Sequence, residues 1–215
     1  MTGDRILFVC TGNVCRSPYM ALRFEQALED LGMGDSGLTL SSRGAHVGAP
    51  AAMCRVASAH LHPSQADAAG AHTAVMLHAD DVEVADLILT ASRADRAAVA
   101  LARPDARGRT FTLLEASMLG GQGFRPSELR ALMQEETSPL RAYARVLHER
   151  RGTLAPTSSP VPRGLLGRRE TPVPTIDLPD SHHQSSLAHR RLFKWLDREL
   201  ATLADGLRTV LDEVG

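Results

Sequence analysis

Aromatic side chains are scarce in this chain: five Phe, two Tyr and one Trp in 215 residues. A core must therefore be mostly Ala, Leu and Val. Cysteine is scarce too. Cys10, Cys15 and Cys54 are too few for a disulfide framework and suit a thiol role in a cytoplasmic protein. No block of like charge occurs and the formal net charge is −1, which argues against the basic stripe of a nucleic-acid-binding protein. No stretch approaches the roughly 18 apolar residues that a membrane span needs, and residues 6–10 are too short for a signal-peptide core. The expectation is a soluble cytoplasmic protein with neither nucleic acid nor membrane as partner. Its 43% hydrophobic and 23% charged residues are ordinary for one large domain, or for one domain with an insertion.

What is present is an alternation of strand and helix signals. Residues 5–10 read as a short buried strand that breaks at Thr11-Gly12-Asn13. A helix follows from Pro18, which suits a first turn because its missing N–H costs nothing there; Gly32 and Gly34 end it. Residues 38–42, 85–90 and 109–113 predict three more strands, and residues 50–61 and 92–102 predict helices, the latter with a Ser92 cap. This order predicts an α/β fold: a three-layer open parallel sheet of about four strands with helices on both faces. After Gly120-Gly121-Gln122-Gly123 the pattern changes. Residues 128–133 and 140–150 have helical spacing. Residues 152–175 hold five of the twelve prolines and read as loop. Residues 185–211 return to helix, with Leu187, Leu192, Phe193, Leu196, Leu200, Leu203, Leu207 and Leu211 largely on one stripe.

The chemistry concentrates at residues 10–17. A strand ends at Cys10 and a helix starts near Ser17. Gly12 and Asn13 between them tolerate left-handed backbone. Such a loop turns successive N–H groups inward and makes an anion nest at a helix N-terminus. Arg16 adds a planar guanidinium fork for bidentate phosphate binding. Cys10 sits at the base of this positive bowl, where the field that holds a phosphate also stabilises a thiolate nucleophile. Ser17 is placed to donate to that thiolate and improve it as a leaving group. Neither Gly-x4-Gly-Lys-Ser/Thr nor Gly-x-Gly-x-x-Gly occurs, so the other common phosphate loops are absent.

Ile-Leu-Phe-Val-Cys-Thr-Gly-Asn-Val-Cys-Arg-Ser-Pro, residues 6–18, resembles the opening of low-molecular-weight protein tyrosine phosphatases, in their bacterial branch. Residues 40–44, Ala71-His72, residues 85–90 and Asp177-Leu178-Pro179-Asp180-Ser181 are similar to further segments of that family. The resemblance covers residues 4–119 and 176–214, with 120–175 longer than usual. It implies a single domain over 1–215 with an extended helical and loop insertion at about 120–175. It also implies roles: Cys10 as nucleophile, Arg16 as clamp, and Thr11, Gly12, Asn13, Val14, Cys15, Arg16 and Ser17 as the phosphate-binding loop. Asn13 holds the backbone, supported by Ser42 and His72. Asp180 is the general acid, preferred over Asp177 because the register Asp-Leu-Pro-Asp fits better. The implied substrate is a phosphorylated protein, such as a tyrosine kinase or its targets. No metal or other cofactor is expected, since N–H groups and Arg16 supply the charge stabilisation.

The sequence also departs from the family. Asp180 is followed by Ser181-His182-His183 rather than by Pro and an aromatic pair, and Ala45-His46-Val47 lacks an aromatic wall. Cys15 has two readings, a small loop filler or a resolving thiol that traps oxidised Cys10. Nine histidines invite a metal, with His60 and His62 beside Cys54 or His182 and His183 beside His189. Yet neither Cys-x2-Cys nor His-Glu-x2-His spacing occurs. Competing functions are a protein arginine phosphatase, whose branch has Thr at the position of Val14, an arsenate reductase, which needs two further working cysteines, and a non-catalytic phosphate-binding regulatory module.

Overall fold

A computed structural model describes residues 4–123, 125, 127, 130, 134, 136, 138–153, 175–180 and 186–214. Four parallel strands form one sheet: β1 (Arg5–Cys10), β2 (Thr39–Gly44), β3 (Leu87–Thr90) and β4 (Thr110–Thr112), in the order β2-β1-β3-β4. The registers place Cys10 beside Gly44, Val9 beside Thr90 and Leu89 beside Phe111. Because side chains alternate along a strand, β1 feeds two cores. Ile6 and Phe8 face the larger one, while Leu7 and Val9 face a smaller one with Val82, Ile88 and Val99. The expected three-layer α/β fold is therefore present, with each strand displaced from its expected bounds by at most two residues at its start.

Helix α1 (Arg16–Asp30) follows β1 directly. Gly32, at φ 76°, ends it, with Gly32 N–H on Glu29 O (2.9 Å) and Met33 N–H on Leu28 O (2.8 Å). This left-handed glycine stop satisfies two carbonyls that the helix end would orphan. Helix α2 (Arg55–Ser58) is far shorter than the helix expected over 50–61. The reason lies in the backbone: Ala51 O accepts from Ala74 N–H and Cys54 N–H donates to Val14 O, so residues 51–54 are committed to neighbours and stay extended. Two short helices that the sequence pattern does not reveal follow, α3 (Ala66–Ala71) and α4 (Ala79–Glu83).

Helix α5 (Arg93–Ala102) starts on the Ser92 cap as expected. The strand expected through residue 113 instead turns at Thr112 into α6 (Leu113–Gly120), where Thr112 and Glu115 form a capping box. Helices α7 (Pro139–Arg150) and α8 (Ser186–Val214) complete the larger core. Along α8 the buried stripe is Leu192, Phe193, Leu196, Leu200, Leu203, Leu207 and Val210; Leu187 is exposed and Leu211 half-buried. Each fully buried aliphatic or Phe side chain is worth about 1.5–3 kcal/mol relative to exposure. The helix expected at 128–133 falls largely outside the described residues, as does most of the loop expected at 152–175. No helix among the described residues is long and apolar enough to cross a membrane.

Candidate active site

The chain leaves β1 towards β2 on one side and returns to β3 on the other. The C-terminal ends of β1 and β3 thus flank a topological switch point, where open α/β sheets bind ligands. Residues 10–17 occupy that place. Asn13 is the one non-glycine residue with positive φ (52°) among the described residues. Its strained backbone is held through both polar atoms of the side chain and through its carbonyl. Nδ2 donates to Ser17 Oγ (3.0 Å) and Ser42 Oγ (2.9 Å), Oδ1 accepts from Val75 N–H (2.9 Å), and O lies 2.8 Å from His72 Nε2. A carbonyl only accepts, so His72 carries its proton on Nε2. Ser42 and His72 thus both hydrogen-bond the loop at Asn13.

The loop carbonyls are tied outward. Cys10 O accepts from Ala45 N–H, Thr11 O from His46 N–H and Val14 O from Cys54 N–H, each at 2.8 Å. Among the described residues no backbone N–H from Thr11 to Ser17 donates to a protein acceptor. Outward carbonyls and unspent N–H groups are the geometry of an anion nest. Gly44 closes it from behind: a Cβ there would lie 3.0 Å from both Asn13 N and Asn13 Cβ, and 2.5 Å from a Val47 methyl.

Cys10 Sγ is buried at the base, 3.1 Å from Ser17 Oγ. Ser17 Oγ also lies 3.2 Å from Arg43 O. A hydroxyl has one proton, so the arrangement has two states. With Cys10 as a thiol, the thiol donates to Ser17 and Ser17 donates to Arg43 O. With Cys10 as a thiolate, Ser17 turns its proton to sulfur. Arg16 is buried across the loop; its Nη2 reaches Asp180 Oδ2 (3.0 Å) and Thr11 Oγ1 (3.3 Å). Thr11 in turn donates to Asp95 Oδ1 (3.0 Å), a buried carboxylate in the first turn of α5.

The two candidate acids differ in their surroundings. Leu178 N–H bonds Ala91 O at 2.9 Å, fixing the segment 177–180 over the end of β3. Asp177 caps α5 through Arg93 N–H (2.7 Å) and grips the Arg93 guanidinium (2.9 and 3.0 Å). Burial pushes its carboxyl up, but the Arg93 hydrogen bonds and charge outweigh this and hold it below the usual carboxylate range. Asp180 instead stands over the loop on Arg16, its side chain 57% exposed. Ser181, His182 and His183 lie outside the described residues.

Cys15 is buried, with Sγ 3.4 Å from His189 Nε2. Burial first, then Cys54 and Cys10, push its thiol far above the usual thiol range; Arg16 opposes this. Cys15, Cys54 and His189 offer three ligand atoms within 4.8 Å of one another. Neither grouping of His60 and His62 with Cys54 nor any local spacing anticipates this: His60 packs on Phe193 instead, and His62 on Ser64. Sequence reading also misses Asp95 and Val75, and gives Gly44, within the family-like segment 40–44, no role. The Ser-x-x-Asp cap at residues 92–95 and the glycine at the end of β2 are the signals that mark two of them.

The family described as Low molecular weight phosphotyrosine protein phosphatase matches residues 5–117, more than half of the chain. Solved structures share the fold at low identity. A YwlE mutant from Bacillus subtilis is 18% identical over 96% of this chain and 99% of its own, with a TM-score of 0.60. The YwlE arginine phosphatase from Geobacillus stearothermophilus is 20% identical over 96% and 94%, with a TM-score of 0.56. Vibrio vulnificus Wzb in complex with benzylphosphonate is 18% identical over 94% and 98%, with a TM-score of 0.55. No curated protein matches the chain.

Proposed function

Because the chain belongs to the low molecular weight phosphotyrosine protein phosphatase family and is by that membership a phosphatase, we propose that it hydrolyses protein phosphotyrosine through a phosphate ester of Cys10. The observation that carries this reading is the loop of unspent N–H groups from Thr11 to Ser17, with Cys10 Sγ at its base and Arg16 at its edge.

The phosphate of the substrate occupies the nest, its oxygens held by the loop N–H groups and the Arg16 fork. Cys10 attacks phosphorus in line with the leaving phenol. The sulfur–phosphorus bond forms as the phosphorus–oxygen bond breaks, and the phenol oxygen takes a proton from Asp180, which enters the step as the neutral acid after the phosphate has replaced it on Arg16 and it has taken a proton from solvent. Asp180 then accepts a proton from water as that water attacks phosphorus, and the sulfur leaves as thiolate. Ser17 donates to that thiolate in its second hydrogen-bonding state and makes it a better leaving group. Asn13, Ser42 and His72 keep the loop open in this geometry. Val14 carries no hydroxyl, which favours phosphotyrosine over phosphoarginine as substrate.

Residues 1–215 then act as one phosphatase domain with 120–175 as an extension; α7 and α8 sharing the larger core with β1 supports this. A cytoplasmic setting suits a thiol nucleophile, since reducing conditions keep it competent. The test is turnover of a chromogenic aryl phosphate by the wild type and by Cys10→Ala in the presence of EDTA. Metal-independent turnover lost in the variant supports the reading. Full turnover by Cys10→Ala refutes it.

A further inference from the structure

We infer that Cys15, Cys54 and His189 form a binding site for a thiophilic divalent metal ion of the zinc class, on the flank of the phosphate loop and apart from the Cys10–Arg16 pocket. The proposal goes beyond phosphatase chemistry and stands or falls separately from it.

The three donors come from segments far apart in sequence: the residue before α1, the residue before α2 and the first turn of α8. Their ligand atoms lie within 4.8 Å of one another. Cys15 Sγ and His189 Nε2 are 3.4 Å apart. Sulfur and nitrogen bound to one tetrahedral zinc at about 2.3 and 2.0–2.1 Å stand roughly 3.5 Å from each other. The pair is thus already at ligand separation.

Each donor is positioned by something other than an ion. Cys15 O accepts from Tyr19 N–H (3.3 Å) in the first turn of α1, and Cys54 N–H holds Val14 O (2.8 Å). The His189 ring stacks on Phe193 one turn along α8, with centroids 5.7 Å apart and planes 9° apart. A pre-set site avoids the ordering cost of gathering ligands. Two sulfurs and an imidazole select a soft or borderline ion over magnesium or calcium, which take oxygen ligands. Cys15 and His189 are buried and Cys54 is half-buried, so an ion enters from the Cys54 side and keeps its fourth position there for water.

Binding replaces two S–H bonds by two sulfur–metal bonds and releases two protons to solvent. The ion ties α8 to the phosphate loop and holds the Cys15 sulfur. While it is bound, Cys15 does not bridge to Cys10.

The test is anaerobic titration of the reduced full chain with cobalt(II), read by thiolate-to-cobalt absorption in the near ultraviolet and tetrahedral bands in the visible. One equivalent is expected to saturate both, and zinc to bleach them. Cys10→Ser is expected to keep the spectrum and stoichiometry. Cys54→Ser, a small change at a half-buried position, is expected to weaken binding at least tenfold, and His189→Gln to do the same. Zinc is expected to raise the Tm of the wild type and of Cys10→Ser but not of Cys54→Ser. A wild type without thiolate–cobalt absorption overturns the proposal. So does absorption that survives Cys54→Ser unchanged, which removes Cys54 from the site, or that vanishes in Cys10→Ser, which places the ion on the catalytic thiol.

Discussion

Arg16 Nη2 and Asp180 Oδ2 form an ion pair at 3.0 Å that joins a side chain 7% exposed to one 57% exposed. The cation that would clamp phosphate is thus held by the carboxylate that would protonate the leaving group. A phosphate dianion competes for the same guanidinium face. On the proposed reading its arrival would free Asp180 to meet the ester oxygen.

Asp180→Asn is therefore expected to slow substrates with poor leaving groups far more than activated ones. Phenyl phosphate needs the proton, and its loss costs about 10²–10⁴-fold. A nitrated phenolate leaves with little help, so only the hydrolysis of the cysteinyl-phosphate suffers. A leaving-group series on Asp180→Asn and Asp177→Asn at one pH measures this. A steeper slope in Asp177→Asn than in Asp180→Asn transfers the acid role to Asp177.

Asp177→Asn has its own signature, in stability. The Asp177 carboxyl is depressed in the folded state, so its contribution is present above the unfolded carboxylate pKa. It is lost as the pH falls through the folded value. The variant is expected to be less stable than wild type at neutral pH, and the gap to close in acid. Urea unfolding across that range checks it. A gap that stays constant down to the lowest pH removes the Arg93 pairing as its cause.

Arg16→Lys is expected to lose about 10²–10³-fold in kcat, the scale of removing one preorganised donor to a developing charge. An ammonium is a point charge and cannot hold two phosphate oxygens in one plane. Vanadate affinity is expected to fall with it. Near-normal kinetics rule out the clamp.

The loop was legible because its parts are contiguous. A strand, two residues that tolerate left-handed backbone, an arginine and a proline in the first helical turn fall within residues 5–18, and the side-chain period of each element is intact. Residues 50–83 were not legible. Their backbone groups are spent on the loop and on each other, as at Cys54–Val14 and Ala51–Ala74, so short elements replace a periodic one. Contacts such as Thr11 with Asp95 and Cys15 with His189 span 84 and 174 residues, beyond any spacing rule. Only family resemblance points to Ser42 and His72, because nothing local marks a serine or histidine that holds a distant asparagine.

Ser17 Oγ is 3.1 Å from Cys10 Sγ and 3.2 Å from Arg43 O, and Asn13 donates to it at 3.0 Å. Only one of the two outgoing bonds exists at a time. The bond to sulfur matters when sulfur carries charge, which is at the start of the reaction and again as the cysteinyl-phosphate breaks. A hydrogen bond to a charged group is worth about 1.5–3 kcal/mol, or roughly ten- to a hundredfold in rate at 1.4 kcal/mol per decade. Ser17→Ala is therefore expected to lower kcat by that factor. The breakdown of the intermediate should suffer more than its formation, because there the sulfur is the leaving group. A rapid-mixing trace with an activated aryl phosphate is expected to show a burst of phenolate close to one equivalent, followed by a slowed steady state. Quenched samples should hold phosphorus on the Cys10 peptide. Ser17→Thr, which restores the hydroxyl, should recover part of the steady-state rate and shrink the burst. If Ser17→Ala slows the burst itself as much as the steady state, the hydroxyl serves the loop through Asn13 and not the sulfur.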